Sequence, residues 1–300
     1  MVKHLSKLIL PILILLSFIF LLAYIIRLDD FTVTIIQKPS FLLPSLIFLF
    51  SGMFFQAYSW YKMLHKIYPK ITFQPVLASS GITIFTKYIP GKIFTIISRS
   101  EYVSQKFSLN KTNTSNISFQ TQIITILFGL GISFISYISQ YWNSILITII
   151  ELLILIWLFP FLLQLCTRIF SGFYKRDIQL SIFSFQDIIR LSPYFLANWF
   201  CWCIGFYFLI LACGLHVDFR AAFTFALAAV GGILAIFSLG GIGVRETILV
   251  VALQQYGLDL NEATSLSVMS RIWFLLGEIF LFICGTFAAN KVNKASVNTD

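Results

Sequence analysis

Residues Tyr88–Tyr102 read "YIPGKIFTIISRSEY", a stretch that sets Pro90, Gly91, Lys92, Arg99 and Glu101 between long runs of Ile, Leu and Phe. Much later, Ser238–Ile248 reads "SLGGIGVRETI", with Gly240, Gly241, Gly243, Arg245 and Glu246 in a comparable setting. Pro90 removes a backbone donor and biases Ile89 away from helix, while Gly91 relaxes the chain. The pattern predicts that one helix ends there and another begins near Ile93. The three glycines predict a similar break in the second stretch.

Such breaks matter because of the solvent this chain demands. Hydrophobic residues make up 58% of it and charged residues only 11%, with a mean hydropathy of +0.89. A soluble domain carries roughly a quarter of its residues as charges. Lipid must therefore replace water around most of the surface, and the fold class is all-α, a polytopic transmembrane helix bundle. The net charge of +9 is the signature of basic cytoplasmic loops facing anionic headgroups. No groove-reading module is present to make it a sign of nucleic acid.

Cys166, Cys201, Cys203, Cys213 and Cys284 all fall in apolar runs and read as small hydrophobes, not as metal ligands or disulfides. His4, His65 and His216 are scattered without ligand spacing, so neither a metal nor another cofactor is expected. The sequons at Asn110, Asn113 and Asn116 crowd one loop that the topology below places in the cytoplasm.

Apolar runs with few or no charges give six full spans, near 8–26, 41–61, 117–139, 145–167, 192–213 and 264–289. The segments 71–98 and 221–244 hold the two broken stretches. Lys3 and Lys7 put the amino terminus inside; Lys62, Lys66 and Lys70 mark the next inner loop. If 71–98 crossed once, Lys106 and Lys111 would lie outside, whereas a segment that dips in and returns keeps them inside. The same logic applies to 221–244, entered after His216, Asp218 and Arg220 and left before the acidic Asp259 and Glu262. Arg168, Lys175, Arg176 and Arg190, and finally Lys291 and Lys294, then also lie inside. Three full crossings per half invert the second half relative to the first. The expected organisation is one membrane domain, with a repeat over 1–140, an inverted repeat over 141–290 and a cytoplasmic tail over 291–300. About nine plain helices with coincidental Gly-Arg-Glu strings are the competing arrangement.

Broken backbone at membrane depth is tolerated only against protein or a water-filled cavity. Buried charges there cost about 2.5–3.5 kcal/mol each on insertion scales, so they must be paired or hydrated. Free N–H groups at new helix starts, together with Lys92, Arg99 and Arg245, would suit a phosphate. Mutual pairing of Arg99 with Glu101 and of Arg245 with Glu246, merely pinning the hairpins, is the plainer reading. Arg271 and Glu278 share a face of the last span as structural partners or cavity-lining groups.

The combination "YIPGK…SRSE" then "GGIGVRE" resembles the lysylphosphatidylglycerol synthase transmembrane region, also called the flippase-like integral membrane family. The resemblance covers most of the chain and implies translocation of an anionic lipid, or a membrane role beside lipid-linked sugar assembly, in a bacterial inner membrane. By position it implies that Pro90, Gly91, Arg99, Gly240, Gly241, Gly243, Arg245 and Glu246 are functional. A proline often precedes the family's second glycine cluster; here Ser238 and Leu239 stand instead. The aminoacyl-transfer domain of bifunctional members has no counterpart, so lysyl transfer is not expected. A membrane-embedded transferase remains a rival, its only paired acids being Asp29 and Asp30.

Cysteine-accessibility labelling tests this topology. Positions near Lys106 and Arg176 are expected to label from the same side as the amino terminus; labelling near Lys106 from the opposite side would remove the first hairpin and the inverted repeat with it.

Overall fold

The computed structural model describes residues 36–88, 93–141, 183–235 and 243–297. Among these, eight α-helices form the fold and no strand occurs. They are α1 (Leu42–Ile67), α2 (Phe73–Ile82), α3 (Ile93–Phe107), α4 (Lys111–Tyr141), α5 (Phe185–Ala212), α6 (Thr224–Leu234), α7 (Val244–Gln254) and α8 (Leu260–Val297). The expected spans 8–26 and 145–167 lie outside the described residues.

The four other expected spans correspond to α1, α4, α5 and α8, each long and apolar enough to cross a membrane. The helices overrun the uncharged stretches because charged residues at their ends continue the helical turn. Local chemistry starts them. The Asn110 side-chain Oδ1 accepts from the N–H groups of Thr112 (2.9 Å) and Asn113 (3.2 Å) at the head of α4. Ser184 and Asp187 form a reciprocal capping box on α5. Glu262 N–H donates to Asp259 (2.7 Å) at the head of α8. Inside α5, Pro193 cannot bond the Ile189 carbonyl, and the Ser192 hydroxyl donates to that oxygen instead at 2.8 Å.

Polarity is inside out. Arg99, Arg245, Glu246 and Glu278 are buried, while Ile272, Leu276, Ile279, Ile283 and Phe287 form an exposed apolar stripe along α8. That arrangement belongs in lipid, not water.

α1 and α5 form an antiparallel central pair. Ser45 donates to the Gly205 carbonyl (2.7 Å), Tyr58 meets Tyr194 edge to face, and Lys66 pairs with Asp187 at 2.6 Å. Gly52 permits this closeness, since a Cβ there would lie 2.3 Å from the Trp202 ring. At the opposite end, the N–H groups of Gln37 and Lys38 donate to the Ala212 carbonyl at 2.9 Å.

The short helices cannot span. α2 has 10 residues, α3 has 15, and α6 and α7 have 11 each, which at about 1.5 Å per residue fall short of an apolar core about 30 Å thick. They fold back on one another instead. Thr86 donates to Thr95 at 3.2 Å across the first break. Across the second, Ile248 packs on Gly231 and Arg245 on Gly232, contacts that nest around the turn and make α6 and α7 antiparallel. Asn113, opening α4, donates to the Tyr68 hydroxyl just past α1 at 2.8 Å. Tyr68 and Asn113 thus lie at the same end of the bundle. The second hairpin opens at the other end, where Arg220 bonds Asp218 and the Tyr256 hydroxyl donates to the Ser136 carbonyl. The Arg220 bonds hold the Asp218 carboxyl below its ordinary range.

Contacts between helices survive an exchange of the two halves. α2 packs on α8 as α6 packs on α4; α3 lies against α4 as α7 lies against α8; α8 touches α1 as α4 touches α5. The α2–α8 crossing is backbone on backbone. A Cβ on Gly81 would sit 2.3 Å from the Leu281 carbonyl oxygen and 2.7 Å from the Gly285 Cα. Neither neighbour can rotate away, so Gly81→Ala should destabilise the protein by about 1–3 kcal/mol, read as lower thermal stability in detergent. An unchanged midpoint would contradict the tightness of this crossing.

Candidate functional site

Glu278 sits midway along α8 and is 2% exposed. Its two oxygens accept from the Lys87 ammonium and, at 2.8 Å, from the Tyr88 hydroxyl. Lys87 and Tyr88 belong to a 3₁₀ turn, Ile84–Tyr88, immediately before the first break. One carboxylate on a spanning helix therefore anchors the tip of the first hairpin.

The second hairpin meets the same helix two turns earlier. Gly243 adopts φ +84°, a left-handed conformation that glycine alone enters freely, and α7 starts at the next residue. Glu246, in the first turn of α7, accepts from the Gly243 N–H at 2.7 Å and lies 3.6 Å from the Arg271 guanidinium. Its carboxylate thus occupies the positive end of the helix dipole. Arg271 in turn lies over the Tyr88 ring, 5.7 Å from its centroid, linking the two hairpin tips.

Arg245 is 7% exposed, with its guanidinium 5.0 Å from the ring centroids of both Phe225 and Phe274. Arg271, Glu246, Glu278 and Tyr88 are its electrostatic neighbours. Its Nη2 is buried with no hydrogen-bond partner among the described residues. Such an atom is costly unless something bonds it. Among the described residues the cluster sets three cations, Lys87, Arg245 and Arg271, against two carboxylates, Glu246 and Glu278. The surplus is one positive charge in a mostly dry setting, an arrangement complementary to a single anion.

Other expected site residues lie elsewhere. The Arg99 guanidinium donates to the Ser118 hydroxyl and carbonyl, both at 2.6 Å, and stacks on Trp60 at 4.6 Å. Trp60 also donates to Ser79 of α2, at 3.3 Å. Arg99 thereby ties α3 to α4, α1 and the first hairpin. Glu101 is not its partner; it pairs with Lys111 at 3.0 Å near the surface. Mutual Arg–Glu pinning within each stretch is thus replaced by longer-range partners, because neighbouring helical side chains point away from each other. Pro90, Gly91, Lys92, Gly240 and Gly241 lie outside the described residues, as do Asp29 and Asp30.

The sequence reading missed Lys87 and Tyr88. Their signal was their place, directly before "IPG", as the last side chains the helix presents before it breaks. The described cysteines, Cys201, Cys203, Cys213 and Cys284, are free thiols. Among the described residues no group of His, Cys, Asp and Glu could hold a metal.

The helical fold, its apolar exterior and its buried charges define a multi-pass membrane protein. The chain belongs to the lysylphosphatidylglycerol synthase TM region family, whose profile matches residues 8–285. No curated protein matches it.

The Lys87–Glu278 contact makes a quantitative prediction. Glu278→Ala leaves Lys87 facing Arg271 and Arg245 without a counter-charge and should cost more stability than Lys87→Ala. The double variant should recover a coupling of about 1–3 kcal/mol, measured by thermal or denaturant unfolding of all four proteins. Strict additivity would mean that the pair does not hold the hairpin tip.

Proposed function

We propose that this protein binds an anionic lipid through the buried cluster on α8 and moves its headgroup across the bilayer, as a flippase-like carrier and not an enzyme. The carrying observation is Arg245, a buried guanidinium whose Nη2 lacks a partner among the described residues, beside a cluster with one surplus positive charge. Arginine offers a phosphate two parallel N–H bonds, and the helix dipole at the start of α7 adds to the attraction. The ligand class is a phospholipid or polyprenyl phosphate.

The same proposal takes the two hairpins as re-entrant and the halves as an inverted repeat. The return of each hairpin to its starting end supports this, as does the contact pattern preserved on exchange. Carriers built from inverted repeats hold their substrates at broken helices near the bilayer midplane. The basic residues Lys62, Lys66, Lys70, Lys106 and Lys111 favour a cytoplasmic position for the end where the first hairpin opens, with both termini inside and a bacterial inner membrane as the setting.

Reconstitution into proteoliposomes with a panel of fluorescent anionic and polyprenyl-phosphate lipids tests the reading through headgroup accessibility. Arg245→Ala is expected to reduce translocation at least tenfold, the equivalent of about 1.4 kcal/mol, with protein level maintained. Arg245→Lys should restore only part of it, because the charge returns without the planar fork. Full activity of Arg245→Ala would dispose of the anion site.

A further inference from the structure

Glu246 stands where the anion of the preceding section would go. Its Oε2 takes the Gly243 N–H at 2.7 Å, and its Oε1 lies 3.6 Å from Arg271. The first contact is a full hydrogen bond, while the second is longer than one. The carboxylate satisfies the helix end, holds Arg271 at longer range, and leaves the buried Nη2 of Arg245 without a bond among the described residues. Being tethered one residue from Arg245, on a helix where adjacent side chains diverge, it cannot bridge all three groups. Arg245 has both Arg271 and Glu246 among its electrostatic neighbours, and a phosphate, untethered and with its oxygens spread in three dimensions, is better shaped than a tethered carboxylate to serve such a set.

We propose that the Glu246 carboxylate is a built-in competitor, which fills the anion position at the head of α7 and is displaced from Gly243 and Arg271 when a phosphate-bearing headgroup binds. The proposal rests on the anion-site reading above and adds a reason for release. A site with three cations around a phosphate would hold it tightly, and a carrier must let go. Glu246 returns to the helix end as the headgroup leaves, so the positive dipole end keeps an anion. Ser267 on α8 donates to the Glu246 carbonyl at 3.4 Å, so the backbone stays in place while the side chain swings.

The test uses the purified full chain in detergent, with dioctanoyl phosphatidylglycerol and inorganic phosphate titrated separately by calorimetry. Glu246→Gln keeps an acceptor for the Gly243 N–H but removes the competing charge. It is expected to bind dioctanoyl phosphatidylglycerol about tenfold more tightly than the parent. Translocation in proteoliposomes should slow at the same time, a split that a merely structural role would not produce. A matching gain for inorganic phosphate identifies the phosphate group alone as the competitor's rival; a gain confined to the lipid identifies the whole headgroup. Binding that is unchanged or weaker in Glu246→Gln, with Arg245→Ala still abolishing it, overturns the competitor and leaves the anion site standing. Arg245→Ala without effect on binding removes both. Should Glu246→Gln fail to fold, Glu246→Asp decides: its shorter carboxylate still caps α7 but withdraws from Arg271. Tighter binding then supports the competitor, and unchanged or weaker binding overturns it.

Discussion

The carboxylate of Glu278 is the contact on which the interior is assembled. It is almost fully buried, and it takes both hydrogen bonds that the end of the first hairpin offers, from Lys87 and Tyr88. A chain that stops and turns inside an apolar bundle exposes backbone and side-chain polar groups that nothing in a hydrocarbon can satisfy. Here α8 supplies one acid and one base to the described residues that flank the two breaks. Glu278 receives the first turn; Arg271 receives the second through Glu246. Removing either would leave an uncompensated charge in a dry place, which is far worse than never having had the pair.

Around this centre the helices are arranged by close approach more than by shape-filling side chains. Gly52 admits the Trp202 ring, Gly129 admits Trp199, and Gly81 meets Gly285 directly. In lipid the hydrophobic effect does not press helices together, so packing and hydrogen bonds must do so. The aromatic residues are used accordingly. Trp199 donates to the Thr125 carbonyl at 2.8 Å, and Trp60 joins the first hairpin to Arg99. Serine and threonine hydroxyls return their hydrogen bonds to the turn before them, as Thr121 and Thr125 do on α4, and so enter the core without an unsatisfied group.

Much of this was legible in the amino-acid sequence, because insertion into lipid leaves strong marks. Long apolar runs located α1, α4, α5 and α8. Pro90 with Gly91, and the cluster ending at Gly243, marked the restarts at Ile93 and Val244. What the sequence concealed was pairing. Arg99 and Glu101 stand two residues apart and look like partners, yet one reaches across to Ser118 and the other outward to Lys111. Arg245 and Glu246 are neighbours that serve different groups. Lys87 and Glu278 are 191 residues apart, and no local period connects them. Only the packing of α2 on α8 does so, and that depends on two glycines too ordinary to single out in advance.

The two arginines that follow the breaks occupy corresponding places but are in unequal circumstances. Arg99 spends its donors on Ser118 and its face on Trp60, while Arg245 keeps an unbonded nitrogen among the described residues. A protein whose halves trade places to open alternately toward each side would have to strip Arg99 of two charge-assisted bonds, at about 1.5–3 kcal/mol apiece. Arg245 would give up the faces of Phe225 and Phe274. A movement that freed both arginines would therefore cost more at Arg99 than at Arg245.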